Sequence, residues 1–261
     1  MRLTTTAMLT LALLAPVAGM RADDDKDEPD PPDGAEMPVN KFLEYVRYPV
    51  FLNSWARLDG VAEHKSKGRR IEVPISLRAR FKRNDWRMQI VIDGGECWLV
   101  RQIPADGVLG TTSIQQQDAP EDKVGLRDLM IRPADLTLGF LYWPFVRELD
   151  KDRLKTVLCR VLELQHKSGE KVRIWISTKY FFPLRVQWFK PGAKEPYRRL
   201  DFKGTTKIKS SVNEDREIVL VKEVTVKNPG WKTRIRFSKR EGDEVTPQMP
   251  PPKDLFVVPK K

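Results

Sequence analysis

A chain of 261 residues, 40% hydrophobic and carrying 47 lysines and arginines against 36 acids, can bury a core as one large domain or two smaller ones. Two histidines, His64 and His166, on separate predicted strands and without ligand spacing, exclude a conventional zinc site and leave no cofactor implied. No run beyond the N-terminus approaches the ~18 apolar residues of a membrane helix.

The first 22 residues are expected to be a secretory signal peptide. Arg2 supplies the positive start, Leu3 to Val17 the apolar region, and Val17-Ala18-Gly19 or Ala22 the small-residue cleavage site. No cysteine follows that run, so no N-terminal lipid is expected. Residues 23–36 hold eight acids, three prolines and one lysine, too polar to bury a core, and are expected to be a disordered linker. The domain proper is then residues 37–261, with 44 basic and 28 acidic residues, a net charge of +16. Such a domain is drawn to anionic surfaces, among them a membrane surface, although lysines and arginines also keep a sheet's outer face soluble. Export argues against nucleic acid. The expected product is a soluble, exported monomer, periplasmic in a cell with two membranes.

Asn40 can cap a short helix ending near Tyr48, with Phe42, Tyr45 and Val46 on its apolar side and Pro49 as its stop. Trp55 to His64 reads as a strand kinked or bulged at Gly60. After the Lys67-Gly68 turn, Ile71, Val73, Ile75, Leu77, Ala79 and Phe81 alternate with polar residues, the pattern of an antiparallel sheet with one solvated face. Pro74 points to an edge or a bulge. Trp86, Met88, Ile90 and Ile92 continue the alternation to the Asp93-Gly94-Gly95 turn, and Glu96 to Ile103 returns. Two registers are open there: a two-residue loop puts Cys97 and Leu99 beside Ile90 and Met88, a three-residue loop puts Trp98 and Val100 there.

Residues 104–132 read as a long irregular stretch, and loops of that length are usually functional or mobile. Pro133 to Trp143 then has helical spacing. Pro133 suits a first helical position, Asp135 suits the positive end of the helix dipole, and Pro144 stops the helix. It is apolar nearly all round and therefore buried or laid over an apolar surface. A charged connection around residues 147–155 leads to five or six strands, near residues 157–165, 171–178, 184–189, 197–203, 217–227 and 231–240, with turns at Ser168-Gly169, Pro191-Gly192 and Asn228-Pro229-Gly230. Residues 255–258 can dock as a last short piece. The sum is a mainly β (α+β) chain: one large curved antiparallel sheet, an incomplete β-barrel, with short helices plugging the concave side. Cys97 and Cys159 both fall in predicted strands, and an oxidising compartment allows a disulfide between them.

The stretch GLRDLMIRPADLTLGFLYWP (residues 125–144), the strand from Cys159 to Leu164, Arg173 to Ile176, Pro183 to Val186 and Gly230 to Arg234 resemble the outer-membrane lipoprotein-sorting proteins of the LolA-like superfamily. The likeness spans roughly residues 40–240 and lies in the order of elements and in the D-L-x-x-x-F-L-Y-W patch. It implies an unclosed β-barrel with a helical lid over an apolar cavity for lipoprotein acyl chains. The fold is also similar to that of envelope-stress regulatory sensors.

A carrier needs an apolar cavity and no chemistry. Ile75, Leu77, Met88, Ile90, Phe140, Leu141 and Trp143 are the candidate lining, and each is equally acceptable as plain core. The partners expected are lipid acyl chains or a lipoprotein. The alternative is a non-enzymatic envelope binding or scaffolding module, sensor-like, that contacts a protein or an anionic surface through its basic outer strands. No enzyme is expected. The chain has no G-x-S-x-G, no zinc motif and no cysteine with a plausible histidine partner, and Asp150 and Asp152 sit on a charged segment.

Overall fold

The computed structural model describes residues 7–10, 34–47, 53–82, 85–105, 108–212 and 216–257. The elements in chain order are β1 (Ala7–Thr10), α1 (Val39–Arg47), β2 (Ser54–Ser66), β3 (Arg69–Lys82), β4 (Asp85–Ile92), β5 (Glu96–Ala105), β6 (Val108–Gln117), α2 (Pro133–Thr137), a 3-10 turn (Gly139–Tyr142), β7 (Phe145–Leu154), β8 (Val157–Gln165), β9 (Lys171–Ser177), β10 (Pro183–Phe189), β11 (Arg198–Lys209), β12 (Arg216–Asn228) and β13 (Trp231–Glu244).

Twelve strands form one antiparallel sheet in the order β6-β5-β4-β3-β2-β13-β12-β11-β10-β9-β8-β7. Two meanders are thus joined at the β2–β13 seam. Their free edges, β6 and β7, do not pair with each other, so the barrel stays open as expected. The stretch between β6 and β7 leaves one edge and must reach the other. It does so across the concave face, which makes residues 118–144 the plug.

The central strands follow their alternation. In β3 every second residue from Ile71 to Phe81 is buried, and Leu58, Leu77 and Ile90 meet side by side across β2, β3 and β4. Pro74 lies in an interior strand rather than at an edge or bulge. β4 has already ended beside it, and the Asp93 N–H donates to the Pro74 carbonyl at 2.9 Å. Gly60 marks the seam: a Cβ there would meet the Arg236 carbonyl oxygen at 2.0 Å, and a register shift follows between Phe237 and Lys239. The shift bends the seam and helps the sheet curl. Trp98 pairs with Ile90 and Val100 with Met88, so the three-residue loop is the one adopted.

Two segments differ from the expectation. Much of the stretch from residue 104 is the edge strand β6, and the charged connection after Pro144 is the edge strand β7. Helix α1 covers one end of the concave side, burying Phe42, Leu43 and Val46, with Phe42 5.3 Å from Phe181. Residues 34–36 of the acidic segment lie against the sheet: Arg160 donates to the Gly34 carbonyl at 3.2 Å, and Lys151 pairs with Glu36 at 2.7 Å. Of the expected signal segment, only Ala7–Thr10 is described, as a parallel strand on Arg216–Val219 of β12, where β12 and β13 have parted. Tyr48 lies outside the described residues.

Candidate functional site

The plug is not one helix. Leu138 takes a left-handed conformation (φ 53°) and splits it into α2 and the 3-10 turn. Before α2 the chain turns at Met130, also left-handed (φ 56°). Leu126, Leu129, Ile131, Leu136, Leu138, Phe140 and Leu141 are the buried apolar residues of the plug. Phe140 stands edge-on to Trp188 at 5.3 Å, an arrangement worth about 0.5–1.5 kcal/mol beyond area burial.

Polar contacts at both ends fasten the plug to its surroundings. At one end the Glu96 carboxylate accepts the Leu126 N–H at 2.6 Å. The Thr233 hydroxyl donates to the Leu129 carbonyl, and His64 Nδ1 shares a 2.8 Å hydrogen bond with that hydroxyl. Burial holds the His64 imidazole below its usual value; the Leu129 backbone opposes this and the Arg69 charge reinforces it. Arg198 donates to the Met130 carbonyl at 3.0 Å and pairs with Asp135, which also accepts the Arg132 N–H at 2.8 Å. Asp135 thus caps α2 as its place in the first turn predicts, while being fully buried. Its Oδ1 and the Arg198 Nε have no hydrogen-bond partner among the described residues. At the other end Arg47 donates to the carbonyls of Leu141 and Trp143, each at 2.8 Å, and the Tyr142 hydroxyl returns a bond to the Arg47 carbonyl at 2.6 Å. No sheet ladder holds the plug, because α2 and the 3-10 turn belong to no strand pairing.

Beneath α2 lies an apolar cavity lined by Ala56, Leu58, Leu77, Ala79, Phe81, Met88, Ile90 and Leu136, with Arg78 and Gln89 at its margin. Its free volume of about 20 Å³ leaves space for roughly one water. Of the seven candidate residues, Leu77, Met88 and Ile90 line it. Ile75, Phe140 and Leu141 are buried elsewhere in the same apolar core, and Trp143 is half-buried with its ring 5.0 Å from that of His166. The lining residues Leu58, Ala79 and Phe81 share the face of Leu77, and Leu136 is the plug residue that reaches the wall. Alternation along β3 signalled Ala79 and Phe81, and the helical spacing of the plug signalled Leu136 as apolar; nothing local singled out Leu58.

Cys97 and Cys159 are buried free thiols, so the disulfide allowed by the sequence is not formed. They belong to β5 and β8, on opposite arms of the sheet. Burial pushes the Cys97 thiol up and the Cys159 thiol up to about 11.

The class that fold and site define is an open curled antiparallel sheet whose own chain folds into its concave face, over an apolar wall. No family model and no curated protein matches the sequence. Solved structures do match in fold. A DUF1329 family protein from Desulfovibrio piger is 14% identical, with 78% of this chain and 90% of that chain covered at a TM-score of 0.54. A domain described as an outer membrane lipoprotein-sorting protein, from Vibrio parahaemolyticus, is 12% identical, with 78% and 91% covered at a TM-score of 0.53. A LolA superfamily protein from Nitrosomonas europaea is 10% identical, with 80% and 94% covered at 0.49. The fold is LolA-like.

Proposed function

We propose that this chain is an exported carrier that takes acyl chains of a lipid or lipoprotein between its apolar wall and its plug, in the service of outer-membrane lipoprotein sorting, with no chemistry of its own. The observation that carries the proposal is the mismatch between wall and plug. The wall is a continuous apolar face on strands locked by ladder bonds. The plug packs into it but, apart from one backbone bond at its very end, where the Gln165 N–H donates to the Pro144 carbonyl at 2.9 Å, it is fastened by side chains, including a buried ion pair with unsatisfied atoms at Asp135 and Arg198. A plug held this way can swing out at the cost of its apolar contacts, and an acyl chain restores them at about 0.8 kcal/mol per buried CH₂. The 20 Å³ cavity is then the closed state.

Displacement of a fluorescent fatty acid tests this on Met88→Asp and on the wild type. Binding by the wild type and its loss in a folded Met88→Asp is the expected result. Equal binding by both, or none by the wild type, contradicts it. The alternative of a scaffolding module has no observation of its own beyond a basic rim at the strand ends of the β2–β13 seam.

A further inference from the structure

The ends of β2, β3, β11, β12 and β13 carry a charge arrangement that the fold does not need. Lys227 of β12 stands directly opposite Lys232 of β13, Lys232 opposite Lys65 of β2, and Lys65 opposite Arg70 of β3. On the far side Lys227 is opposite Arg199 of β11. Five adjacent strands thus present one cation each in a single row. Strands lie ~4.8 Å apart, so the row is about 20 Å long. Like charges directly opposite each other are destabilising. Acids relieve the ends of the row: Arg199 pairs with Asp201, and Lys65 and Arg70 pair with Glu63. Lys227 and Lys232, in the middle, have no carboxylate partner among the described residues. Burial first, and then the charges of Arg234, Lys203 and Lys227 against the opposing charge of Glu223, hold the Lys232 ammonium below its ordinary range.

The hairpin tips beside the row enclose an open concavity of about 590 Å³ with no acid in its lining; Lys67 and Arg69 add two more cations. Trp231, half-buried, reaches the same concavity from the other, concave face of the sheet, where its ring lies 6.0 Å from that of His64. Arg198 reaches over the Trp231 ring at 5.3 Å and binds the Met130 carbonyl, which brings the exposed Met130 of the plug to the same rim.

We propose that this rim is a docking site for the surface of an anionic phospholipid bilayer, with the cation row on the headgroups and Met130 and Trp231 at the interface. Cations on long flexible stems around a shallow, open concavity suit a laterally fluid surface, since no buried donor is set to select one small anion. Exposed methionine and half-buried tryptophan, across the strand ends from the cations, fit a bilayer interface, where tryptophan is enriched, better than an acidic peptide. The proposal does not need the acyl-chain reading, and its test uses no cargo. If both hold, docking brings the Leu129–Met130 end of the plug to the membrane.

The test is flotation of the purified chain with phosphatidylglycerol-containing vesicles and with phosphatidylcholine vesicles. The wild type is expected to float with the anionic vesicles only, and to release between about 0.1 M and about 1 M salt as the Debye length falls from ~10 to ~3 Å. Lys227→Glu/Lys232→Glu is expected to weaken binding at least about tenfold. Lys179→Glu/Lys209→Glu, the same charge change at exposed lysines on the opposite end of the strands, is expected to weaken it much less. Thermal melts show that both variants fold; if Lys227→Glu/Lys232→Glu fails to, Lys227→Gln/Lys232→Gln replaces it, with a smaller loss expected. Equal losses in rim and control variants, displacement by millimolar-range free inorganic phosphate, or binding to a polyglutamate peptide but not to vesicles would each overturn the proposal.

Discussion

The fastening of the plug is most exposed at Arg198. Arg198→Met leaves the Asp135 carboxylate buried, compensated only by the Arg132 N–H at 2.8 Å and by the charge of Arg132. Removing one partner of a buried pair costs about 3–5 kcal/mol. The guanidinium also lies over the rings of Trp188 at 5.8 Å and Trp231 at 5.3 Å, contacts worth about 0.5–2 kcal/mol. Methionine recovers part of the packing, so the expected loss stays near 3–5 kcal/mol. Asp135→Asn keeps an acceptor for the Arg132 N–H, and with it a cap worth about 1 kcal/mol. It leaves Arg198 charged but above two indoles, so it is expected to lose about 2–3 kcal/mol. The double variant buries neither charge, and its loss should fall short of the sum by about 1–3 kcal/mol. Urea melts followed by tryptophan fluorescence measure all four proteins. Additivity within about 0.5 kcal/mol would refute the pair as a fastening. Stopped-flow uptake of the fatty-acid probe should be faster in Arg198→Met than in the wild type.

Leu141→Asp is expected to unfold the chain, because Leu141 is 2% exposed and away from the cavity; burying a carboxyl there adds to the 2–5 kcal/mol of a large-to-small core change, as a urea melt would show. His64 sits below its usual 6.5 in the fold. Its contribution is therefore intact above pH 6.5 and is lost as pH falls through the window beneath, where the unfolded chain binds the proton first. His64→Gln should flatten the difference between urea midpoints at about pH 7.5 and about pH 5.5; an unchanged difference would assign it to other groups. With no reductant, denatured protein should yield two thiols to a colorimetric reagent and native protein should react slowly at both, Cys159 the slower with its thiol near 11. Detection of one disulfide would contradict the free thiols.

The strands that were legible are those with one face on the core: β2 to β5 and β8 to β13 declare themselves by alternation or by closely spaced turns. The two edges were not legible, for a shared reason. β7 carries Arg147, Glu148, Asp150, Lys151, Asp152 and Arg153, and the end of β6 is Gln115-Gln116-Gln117, exposed throughout. Polar, charged edges protect a sheet from pairing with other chains, and the same composition reads as loop. The plug was legible as apolar, but its break was not: Leu138 takes a left-handed conformation that leucine adopts only when surrounding packing compels it. Asp135 read as a dipole partner and proved to be half of a buried pair, because Arg198 lies 63 residues away. Leu77, Met88 and Ile90 border the small cavity, whereas Ile75, on the same alternation of β3, lies further along the sheet beside Gly60 and Ile92. Phe140, Leu141 and Trp143 share the helical spacing of the plug, and the break at Leu138 turns them away from that cavity.

Organic extraction of the chain, purified without detergent from the cell envelope, followed by mass spectrometry of the extract, asks most directly whether the apolar interior carries acyl chains. Acyl lipid or acylated peptide in proportion to protein, lost in folded Met88→Asp, is the expected result. An extract free of acyl chains, from protein that also fails to bind the fatty-acid probe, would contradict it.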